Sequence, residues 1–457
     1  MENKNQLNSK LTRRDFMKKT SLAAGGGFLL SSLPIGSSAY AAANDTLNVA
    51  VIGCGGRGTG AANQALTADN GVKIVALADL FRDRLDECYT ALSERLKASN
   101  ETDRLAVPEE HKFVGFDGYK HAIELADVVI LATPPGFRPE HFEEAVRQGK
   151  HIFMEKPVAT DAHGVRRVLQ AGREAKRKKL NVVVGLQRHY QNNYNEALQH
   201  IRDNAIGKIT AGQVYWNGAG VWVRERQPGM SELEYQNRNW YYFNWLCGDH
   251  ILEQHIHNID VANWFIGEYP VSAQGMGGRE VRNGKDHGQI FDHHFVEFTY
   301  PGGAVIASQC RHQPNTFSRV AEHFQGAFGT IELDSNNKAV IKDWDGVVLY
   351  DHEGMNDPNP YQVEHDKLFA SIRNGEVIDD TEYGAKSTMT AILGRMATYS
   401  GQMITWDQAI NANDKMVPDN MTWDTPPPVM PDENGNYPVP TPGVTDVLGT
   451  ESTASKG

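Results

Sequence analysis

The glycines at positions 53, 55 and 58 have the spacing of a loop that binds a dinucleotide. They follow an apolar run at 47–52 and precede residues 61–66, which favour a helix. In such a loop the first glycine permits a tight turn, the second lets a pyrophosphate approach the backbone, and the third lets the helix pack on the strand. The free amides at the helix N-terminus then bind the anion. We therefore predict cofactor contacts from Gly53, Gly55, Gly56, Arg57 and Gly58.

The end of the second predicted strand carries a residue that can distinguish NAD from NADP. Residues 72–79 form an apolar run that ends in Asp79, 21 positions after Gly58. A carboxylate placed there accepts hydrogen bonds from the adenosine ribose hydroxyls and repels a 2′-phosphate. The sequence thus predicts NAD as the cofactor, while Arg82 and Arg84 lie close enough to keep NADP possible.

A second group of ionisable residues has helical spacing. His250, Glu253 and His257 stand at i, i+3 and i+7, so all three share one face of the helix predicted over residues 249–265. Glu253 could orient the His257 imidazole, which would then act as a general base or bind a substrate hydroxyl. The same spacing could hold a divalent metal ion. Three further histidines are interpreted as strand-surface or site-wall residues: His293, His294 and His312.

The elements that must position these residues alternate between strands and helices up to about residue 180. Continuous apolar runs, typical of strands buried on both faces of a parallel sheet, occur at 47–52, 72–79, 126–133 and 151–155. The pattern predicts an α/β protein with a doubly wound Rossmann sheet over residues 44–165. A C-terminal α+β domain with a large, mostly antiparallel open sheet is predicted over 166–400. A proline-rich, extended arm is predicted over 401–457.

The first 43 residues have the features of a twin-arginine export signal. Arg13 and Arg14 precede a weakly apolar stretch at 21–38 and small residues suited to cleavage. The twin-arginine export machinery moves folded proteins, so we expect a periplasmic protein that loads its cofactor before export. A cofactor carried out in this way must be held tightly and recycled during turnover.

Composition and cysteine spacing exclude several classes of protein. The chain of 457 residues carries a formal net charge of −12, which disfavours nucleic acid as a partner. The stretch 21–38 is too polar for a bilayer span, and no other run reaches about 18 apolar residues, so we expect no stable membrane span. The four cysteines form no C-x-x-C pair and are interpreted as buried and free: Cys54, Cys88, Cys247 and Cys310.

The Glu-Lys-Pro sequence at residues 155–157 identifies a family resemblance. With Thr133-Pro134 and the glycine loop, it makes the chain resemble the Gfo/Idh/MocA oxidoreductases over roughly residues 46–400. The family joins a Rossmann domain to a C-terminal domain that shapes the substrate site and often the oligomer interface, which implies a homodimer or homotetramer. The resemblance implies that Lys156 is the active-site lysine and that Glu155 lies against the nicotinamide ribose. Further cofactor contacts are expected from Thr133, Pro134, His141, Glu155 and Lys156.

A second motif of the family, G-G-x-x-x-D-x-G-x-H-x-x-D, matches the chain in part. His257 takes the position of the histidine and Asp260 that of the last aspartate, but Glu253 replaces the usual aspartate and His255 the usual glycine. The resemblance implies that Lys156 and His257 manage the substrate proton, with Glu253 beside them. Because the usual chemistry of the family needs no metal, we expect none here.

Candidate substrate contacts lie in two segments. Arg188 and Tyr190 follow the strand after the Glu-Lys-Pro sequence, where related enzymes place a polar or basic residue, although a structural salt bridge is the alternative for Arg188. The aromatic insertion at 216–242 suits carbohydrate, and packing in the core or at a dimer contact would explain it equally well. The predicted substrate contacts are Arg188, Tyr190, Trp222, Trp240, Tyr241, His250 and Asp260.

The leading functional hypothesis is an NAD-dependent oxidoreductase that acts on a secondary hydroxyl of a sugar, glycoside or cyclitol. A second substrate would then return the hydride to the tightly bound cofactor. The alternative is an NAD-dependent glycoside hydrolase, similar to the family's N-acetylgalactosaminidase-like members, that works through a transient 3-keto sugar. A non-catalytic sugar-binding protein is a third hypothesis, and the presence of Glu155, Lys156 and His257 argues against it.

Overall fold

Two sheets, one parallel and one mixed, organise the part of the chain that the computed structural model describes, residues 45–450. The predicted export signal at 1–43 lies outside the described residues. The sheets confirm the predicted fold class, a Rossmann sheet followed by a domain with a large, mostly antiparallel sheet. Within residues 45–450, no helix combines the length and the apolar character that crossing a bilayer requires.

The first sheet has six parallel strands in the order β3-β2-β1-β4-β5-β6. They are β1 (Leu47–Ile52), β2 (Val72–Asp79), β3 (Lys112–Val114), β4 (Val128–Leu131), β5 (His151–Met154) and β6 (Val182–Val184). The central strands are short apolar runs, and all four residues of β4 are buried because helices cover both faces of the sheet. The chain order reverses between β1 and β4, where a ligand crevice opens beyond the carboxyl ends of the strands.

Helices connect the strands of the first sheet. They are α1 (Gly56–Ala68), α2 (Arg82–Ala98), α3 (Gly118–Glu124), α4 (Arg138–Arg147) and α5 (Ala162–Arg177). Asp161 fixes the start of α5, because its side chain accepts a hydrogen bond from the Gly164 amide at 2.6 Å. Since β6 continues the parallel sheet beyond α5, the domain boundary predicted at residue 165 falls inside α5 and not between the two sheets.

The second sheet has nine strands in the order β14-β13-β12-β11-β7-β10-β9-β8-β15. They are β7 (Ile209–Gly218), β8 (Ser272–Gly278), β9 (His293–Thr299), β10 (Val305–His312), β11 (Arg319–Gly326), β12 (Gly329–Asp334), β13 (Ala339–Asp343), β14 (Val348–Asp351) and β15 (Ile404–Thr405). Neighbouring strands are antiparallel except β7 and β10. Every second residue of β9 is buried, so helices cover one face of the sheet.

The remaining helices follow β6 in the chain, and some of them pack on the first domain. They are α6 (Asn192–Arg202), α7 (Glu232–Arg238), α8 (Asn244–Cys247), α9 (His250–Glu253), α10 (Ile256–Ile266), α11 (Pro360–Asn374), α12 (Thr381–Ser400) and α13 (Trp406–Ile410). α12 is buried along most of its length, because it packs on β8, α5 and α10. α11 packs on α1, beneath the glycine loop.

The helix predicted over residues 249–265 is broken in the structure. Gly248 and Asp249 have φ angles of +76° and +77°, which separate α8 from α9. Residues 254–255 then form a turn between α9 and α10. The prediction of one continuous helix was wrong, since helical spacing of polar residues does not reveal a turn between them.

The C-terminal arm, predicted from residue 401, begins with β15 and α13 and has neither helix nor strand between residues 411 and 450. It nevertheless packs closely, with Tyr437 buried edge-on against Phe243 at a centroid distance of 4.9 Å. Gln236 donates to the carbonyl of Val429 at 2.7 Å. All four cysteines are buried and free, which confirms the prediction.

Candidate active site

The glycine loop between β1 and α1 accepts only glycine at two of its positions. Gly53 has a φ of +93°, and a Cβ placed on it would lie 2.5 Å from the amide nitrogen of Thr133. A Cβ on Gly58 would lie 1.8 Å from the Gly53 carbonyl oxygen. At Gly55 and Gly56, however, a Cβ would meet no heavy atom within 4 Å, so this backbone faces open space. The loop therefore leaves room for a pyrophosphate at the N-terminus of α1.

A cavity of about 1010 Å³ begins at this loop and follows the carboxyl ends of β1, β2 and β4. Its volume is at the upper end of the range for cofactor sites. The predicted cofactor residues on its wall are Gly53, Gly55, Gly56, Arg57, Asp79, Thr133, Pro134 and His141. The bare glycine backbone at one end and a carboxylate at the other fit a dinucleotide such as NAD.

Asp79, the predicted ribose ligand, lies on the cavity wall at the end of β2. Its Oδ2 accepts from the amide of Cys54 at 2.7 Å and its Oδ1 from the amide of Phe81 at 2.9 Å. Each oxygen keeps a second lone pair for a ribose hydroxyl, and burial raises the pKa of Asp79. Arg84 lines the cavity, whereas Arg82 pairs with Asp86 and Glu109 at the surface.

Arg57 connects the glycine loop to two acidic residues. Its guanidinium pairs with Glu155, next to the catalytic candidate Lys156, and with Glu364 on α11 at 3.0 Å. Burial raises the pKa of Glu364, and the neighbouring Glu155 adds to the effect. Glu364 is a site residue that the sequence did not reveal, because only the fold brings α11 under the glycine loop.

Arg138 at the start of α4 holds the Glu-Lys-Pro turn. Its buried guanidinium donates to the carbonyls of Glu155 and Thr133, and to that of Pro157 at 2.7 Å. These bonds fix the direction in which Lys156 leaves the sheet. Sequence reasoning missed Arg138, although a basic residue three positions after the Thr-Pro-Pro stop of β4 could have indicated it.

Lys156 reaches across from the first domain to Glu253 on α9. Its ammonium donates to the Glu253 carbonyl, and the Glu253 Oε1 lies 3.3 Å from the Lys156 Nζ. Burial raises the pKa of Glu253, which the Lys156 charge opposes. The Tyr241 hydroxyl is buried beside this pair, and burial together with the Glu253 charge raises the pKa of Tyr241. A carboxylate, an ammonium and a phenol thus meet at one point.

His257 lies near this group but is not bonded to Glu253 in the described structure. Its ring stacks on Trp216 at a centroid distance of 5.8 Å, and its Nδ1 has no hydrogen-bond partner among residues 45–450. Burial holds the pKa of His257 well below 6.5, and the Lys156 charge adds to this. The predicted orientation of His257 by Glu253 is therefore not found, because the turn at 254–255 directs Glu253 to Lys156.

Thr133 and His141 form a pair on the cavity wall, as their predicted cofactor role requires. The Thr133 Oγ1 lies 3.3 Å from the His141 Nδ1. Burial lowers the pKa of His141 to about 3, so the imidazole stays neutral. The Tyr119 ring packs tilted against the His141 ring at a centroid distance of 4.1 Å, and the Phe137 ring stacks on it at 6.1 Å.

The aromatic insertion forms a roof over the cavity. Trp222 and Trp240 line the cavity and meet edge-on at a centroid distance of 5.8 Å. Arg238 fastens the insertion to the first domain through Asp83 at 3.0 Å and through the Phe81 ring at 4.0 Å. Two of the aromatics predicted to bind carbohydrate thus stand over the nucleotide cavity.

The C-terminal arm completes the roof. Asn420, Met421 and Thr422 line the cavity, and Trp423 packs edge-on against Phe116 at 5.1 Å and tilted against Phe81 at 5.9 Å. The sequence predicted an arm but gave no sign of where it packs. The cavity wall therefore includes a segment more than 300 residues away from the glycine loop in sequence.

Several predicted substrate residues are committed to partners elsewhere in the protein. Arg188 pairs with the buried Glu322. This is the structural salt bridge predicted as the alternative to substrate binding by Arg188. Tyr190 donates to Asp380 at 2.8 Å. Asp260 accepts from Ser387 at 2.7 Å and contacts His189 at 2.7 Å. The cavity wall formed by the described residues includes none of these three, and their partners became visible only in the fold.

Both halves of the chain match models of one enzyme family. Residues 47–186 match the oxidoreductase family with an NAD-binding Rossmann fold, and residues 194–332 match the GFO/IDH/MocA C-terminal domain. The inositol 2-dehydrogenase of Rhizobium meliloti is 30% identical over 154 residues, which are 33% of this chain and 41% of that protein. The glycosyl hydrolase family 109 protein of Solibacter usitatus is 29% identical over 242 residues, which are 47% of this chain and 50% of that protein.

The alignments cover about half the length of the first curated relatives. Among solved structures, scyllo-inositol dehydrogenase from Lactobacillus casei with bound NAD(H) and scyllo-inositol superposes with a TM-score of 0.59. The two sequences are 18% identical, and the match covers 79% of this chain and 100% of the dehydrogenase chain. This likeness shows a shared fold.

Proposed function

The chain belongs to the GFO/IDH/MocA family of oxidoreductases, with an NAD-binding Rossmann domain, and from this premise we propose that it oxidises a secondary hydroxyl of a sugar, glycoside or cyclitol. The observation that carries the proposal is the contact between Lys156 and Glu253, in which a lysine after β5 meets a carboxylate of the second domain. Such a pair can take up a hydroxyl proton as the carbinol carbon is oxidised.

The residues on the cavity wall would hold NAD. Asp79 would bind the adenosine ribose, the amides of the glycine loop the pyrophosphate, and Thr133 with Pro134 the nicotinamide half. Bound NAD supplies a hydride acceptor. A substrate hydroxyl would displace the Glu253 oxygen from Lys156, and neutral His257 would accept the proton that Lys156 passes on.

The roof supports the proposal that NAD stays bound and is recycled by a second substrate. A cofactor in the cavity would contact Trp222, Trp240 and Met421, and these contacts would slow its release. The twin-arginine pattern at Arg13 and Arg14 supports export after loading, and hence a periplasmic location. Export machinery as a partner and a homodimer or homotetramer stay predictions.

A second candidate function is NAD-dependent glycoside hydrolysis through a transient 3-keto sugar. The similarity to the glycosyl hydrolase family 109 protein favours it. After oxidation, a neutral imidazole such as His257 can remove the proton next to the new ketone, and the aglycone is then eliminated. Water adds, and reduction of the ketone restores the sugar without net cofactor reduction.

The test uses full-length protein isolated after export, without added cofactor. Mass spectrometry of acid-released small molecules should find NAD or NADH. A panel of sugars, glycosides and cyclitols is then screened for the near-ultraviolet absorbance of reduced nicotinamide. Addition of a keto-sugar should reoxidise the cofactor and remove this absorbance. Nitrophenyl glycoside cleavage without net reduction would favour the hydrolase. Protein that holds no nicotinamide and reduces none when NAD is added would contradict both functions.

A further inference from the structure

A buried carboxylate next to α9 is surrounded by imidazoles that the proposed reaction does not use. Asp249, His250, His294 and His312 are 0%, 0%, 3% and 1% exposed, respectively. The His250 ring lies 4.9 Å from His294 and stacks on His312 at 4.3 Å, measured between centroids. None of the four lines the cavity formed by the described residues, so the group needs an explanation of its own.

The hydrogen bonds of His294 leave a lone pair facing a carboxylate. The Thr398 hydroxyl lies 3.2 and 3.0 Å from the carbonyls of Gly394 and Arg395, which receive its hydrogen in a helix. The His294 Nδ1, 2.9 Å from the Thr398 Oγ1, must then be the donor. In a neutral imidazole the other nitrogen, Nε2, carries a lone pair. It lies 3.3 Å from the Asp249 Oδ2, so two acceptors face each other.

The same reasoning applies to the other two imidazoles. His250 Nδ1 lies 2.7 Å from the Asp249 Oδ1 and donates to it, which leaves a lone pair on Nε2. His312 Nε2 lies 2.8 Å from the Gln254 Oε1 and donates to it, which leaves a lone pair on Nδ1. Neither free nitrogen has a hydrogen-bond partner among residues 45–450. Buried acceptors without donors are costly unless a cation satisfies them.

We propose that Asp249, His250 and His294 bind one divalent transition-metal ion, with zinc as the first candidate. Each offers a ligand atom, and the three atoms lie within 4.8 Å of one another. Ligands about 2.0–2.1 Å from one ion are separated by at most ~4.2 Å, so the set closes when the side chains move together and the His250 ring turns out of its hydrogen bond with Asp249. Imidazole and carboxylate ligands suit zinc and its neighbours in the first transition row.

The surroundings of Asp249 and His294 match those of metal ligands. The Asp249 carboxylate accepts from the amide of Phe291 at 3.0 Å and from the hydroxyl of Tyr399 at 2.5 Å. His294 donates its second nitrogen to Thr398. Outer bonds of this kind fix the tautomer and direction of ligating side chains. A proton on His294, shared with Asp249 at 3.3 Å, is the competing explanation, and measurement of bound metal distinguishes the two.

The ion replaces the metal arrangement weighed from sequence. His250, Glu253 and His257 do not converge, because Glu253 turns to Lys156. His294, interpreted as a strand-surface or site-wall residue, instead faces inward from β9 to meet His250. The short helix α9 begins at His250 and ends at Glu253. An ion held by His250 would therefore fix the position of the helix that carries Glu253. Its role is to hold that element, and it does not contact the cofactor cavity.

The test measures metal in untagged full-length protein purified without chelator. Elemental analysis should find ~1 transition-metal ion per folded chain, and chelation should lower the midpoint of thermal unfolding. Cobalt(II) added to the metal-free protein should give visible absorption bands of a site with nitrogen and oxygen ligands. Asp249→Asn and His294→Gln should each lose the ion, whereas the neighbouring His293→Gln should keep it, because His293 is 41% exposed in its side chain.

The measurement on wild-type protein decides the proposal even where a variant fails to fold. Protein with native circular dichroism that holds less than ~0.1 ion per chain after zinc exposure, and gives no cobalt bands, would overturn it. Retention of the ion by folded His294→Gln would also overturn it. Metal content is independent of nicotinamide content, so failure here leaves the proposed oxidoreductase standing, and the reverse also holds.

Discussion

The Lys156 ammonium and the Glu253 carboxylate lie 3.3 Å apart, although 97 residues separate them in sequence. Both side chains are mostly buried, at 12% and 17% exposed. A lysine in this position has a proton acceptor on one side and, in the proposed complex, a substrate hydroxyl on the other. The pair therefore joins the nucleotide domain to the second domain at the point where proton transfer is proposed.

Replacing Lys156 with alanine should lower kcat by about 10²–10⁴-fold while NAD stays bound. Contrary to its predicted cofactor contact, Lys156 is not on the cavity wall formed by residues 45–450, so the occupancy of the cavity by NAD should not change. The measurement is steady-state turnover of a confirmed substrate together with released nicotinamide. Lys386→Ala, which removes a surface pair with Glu382, serves as control. Turnover within threefold of wild type would remove Lys156 from the mechanism.

The pH dependence of kcat/KM should place the ionisation of His257 below neutrality. An unperturbed imidazole ionises near neutrality, but burial and the Lys156 charge lower the pKa of His257 well below 6.5. A base with a lowered pKa is already deprotonated at pH 6.5, so its acid limb should lie below that value. His257→Asn should lose this limb and about 10²-fold in rate. A limb centred at pH 7 or above in wild type would contradict the assignment.

Asp79→Asn should relax the preference for NAD over NADP. The variant keeps an acceptor for the Cys54 or Phe81 amide but loses the charge that repels a 2′-phosphate. We expect the ratio of the NADP and NAD dissociation constants to fall by about tenfold, equal to ~1.4 kcal/mol. Calorimetric titration of protein freed of cofactor measures both constants. If wild-type protein carries NADP, Arg84 is the selecting residue instead.

The strands and helices with strong local patterns could be predicted from sequence. Strands β1 and β4 are apolar runs, and their neighbours in the sheet follow from the alternation of strand and helix. The partners of buried charges could not be predicted, because Arg188 meets Glu322 across 134 residues. Helical spacing likewise placed Glu253 and His257 on one face, and a two-residue turn separated them. Local periodicity predicts elements, whereas the direction of a polar side chain depends on distant residues.

Trp423→Ala should speed the release of NAD. Trp423 packs against Phe81 and Phe116 at the edge of the cavity, and each aromatic contact contributes about 0.5–1.5 kcal/mol. Loss of both should raise the dissociation rate by about tenfold, since every 1.4 kcal/mol is a factor of ten. Stopped-flow fluorescence of NADH displacement measures this rate. Trp344→Ala, at an exposed position beyond β13, should leave it unchanged.

The attachment of the arm should weaken as pH rises towards neutrality. Asp414 lies at the N-terminus of α5, where its Oδ1 accepts from the Ala162 amide at 3.2 Å, and Asp161 stands beside it. Burial and the Asp161 charge raise the pKa of Asp414 from 3.8 to about 7. The folded protein therefore holds a proton that the unfolded chain releases above about pH 4. The contribution of Asp414 to the free energy of unfolding therefore falls as pH rises from about 4 to about 7, and it is constant above about pH 7.

Asp414→Asn removes the titrating group but keeps an acceptor for the Ala162 amide. Wild-type protein should lose several degrees of thermal midpoint between about pH 5 and pH 8, and the variant should lose less and be the more stable of the two at about pH 8. Differential scanning calorimetry across this range measures both. Asp419→Asn is the matched control, because Asp419 is an exposed residue of the same arm and pairs only with Lys415 in the described structure. Parallel pH profiles of wild type and Asp414→Asn would show that Asp414 ionises normally in the folded protein, which would contradict the prediction.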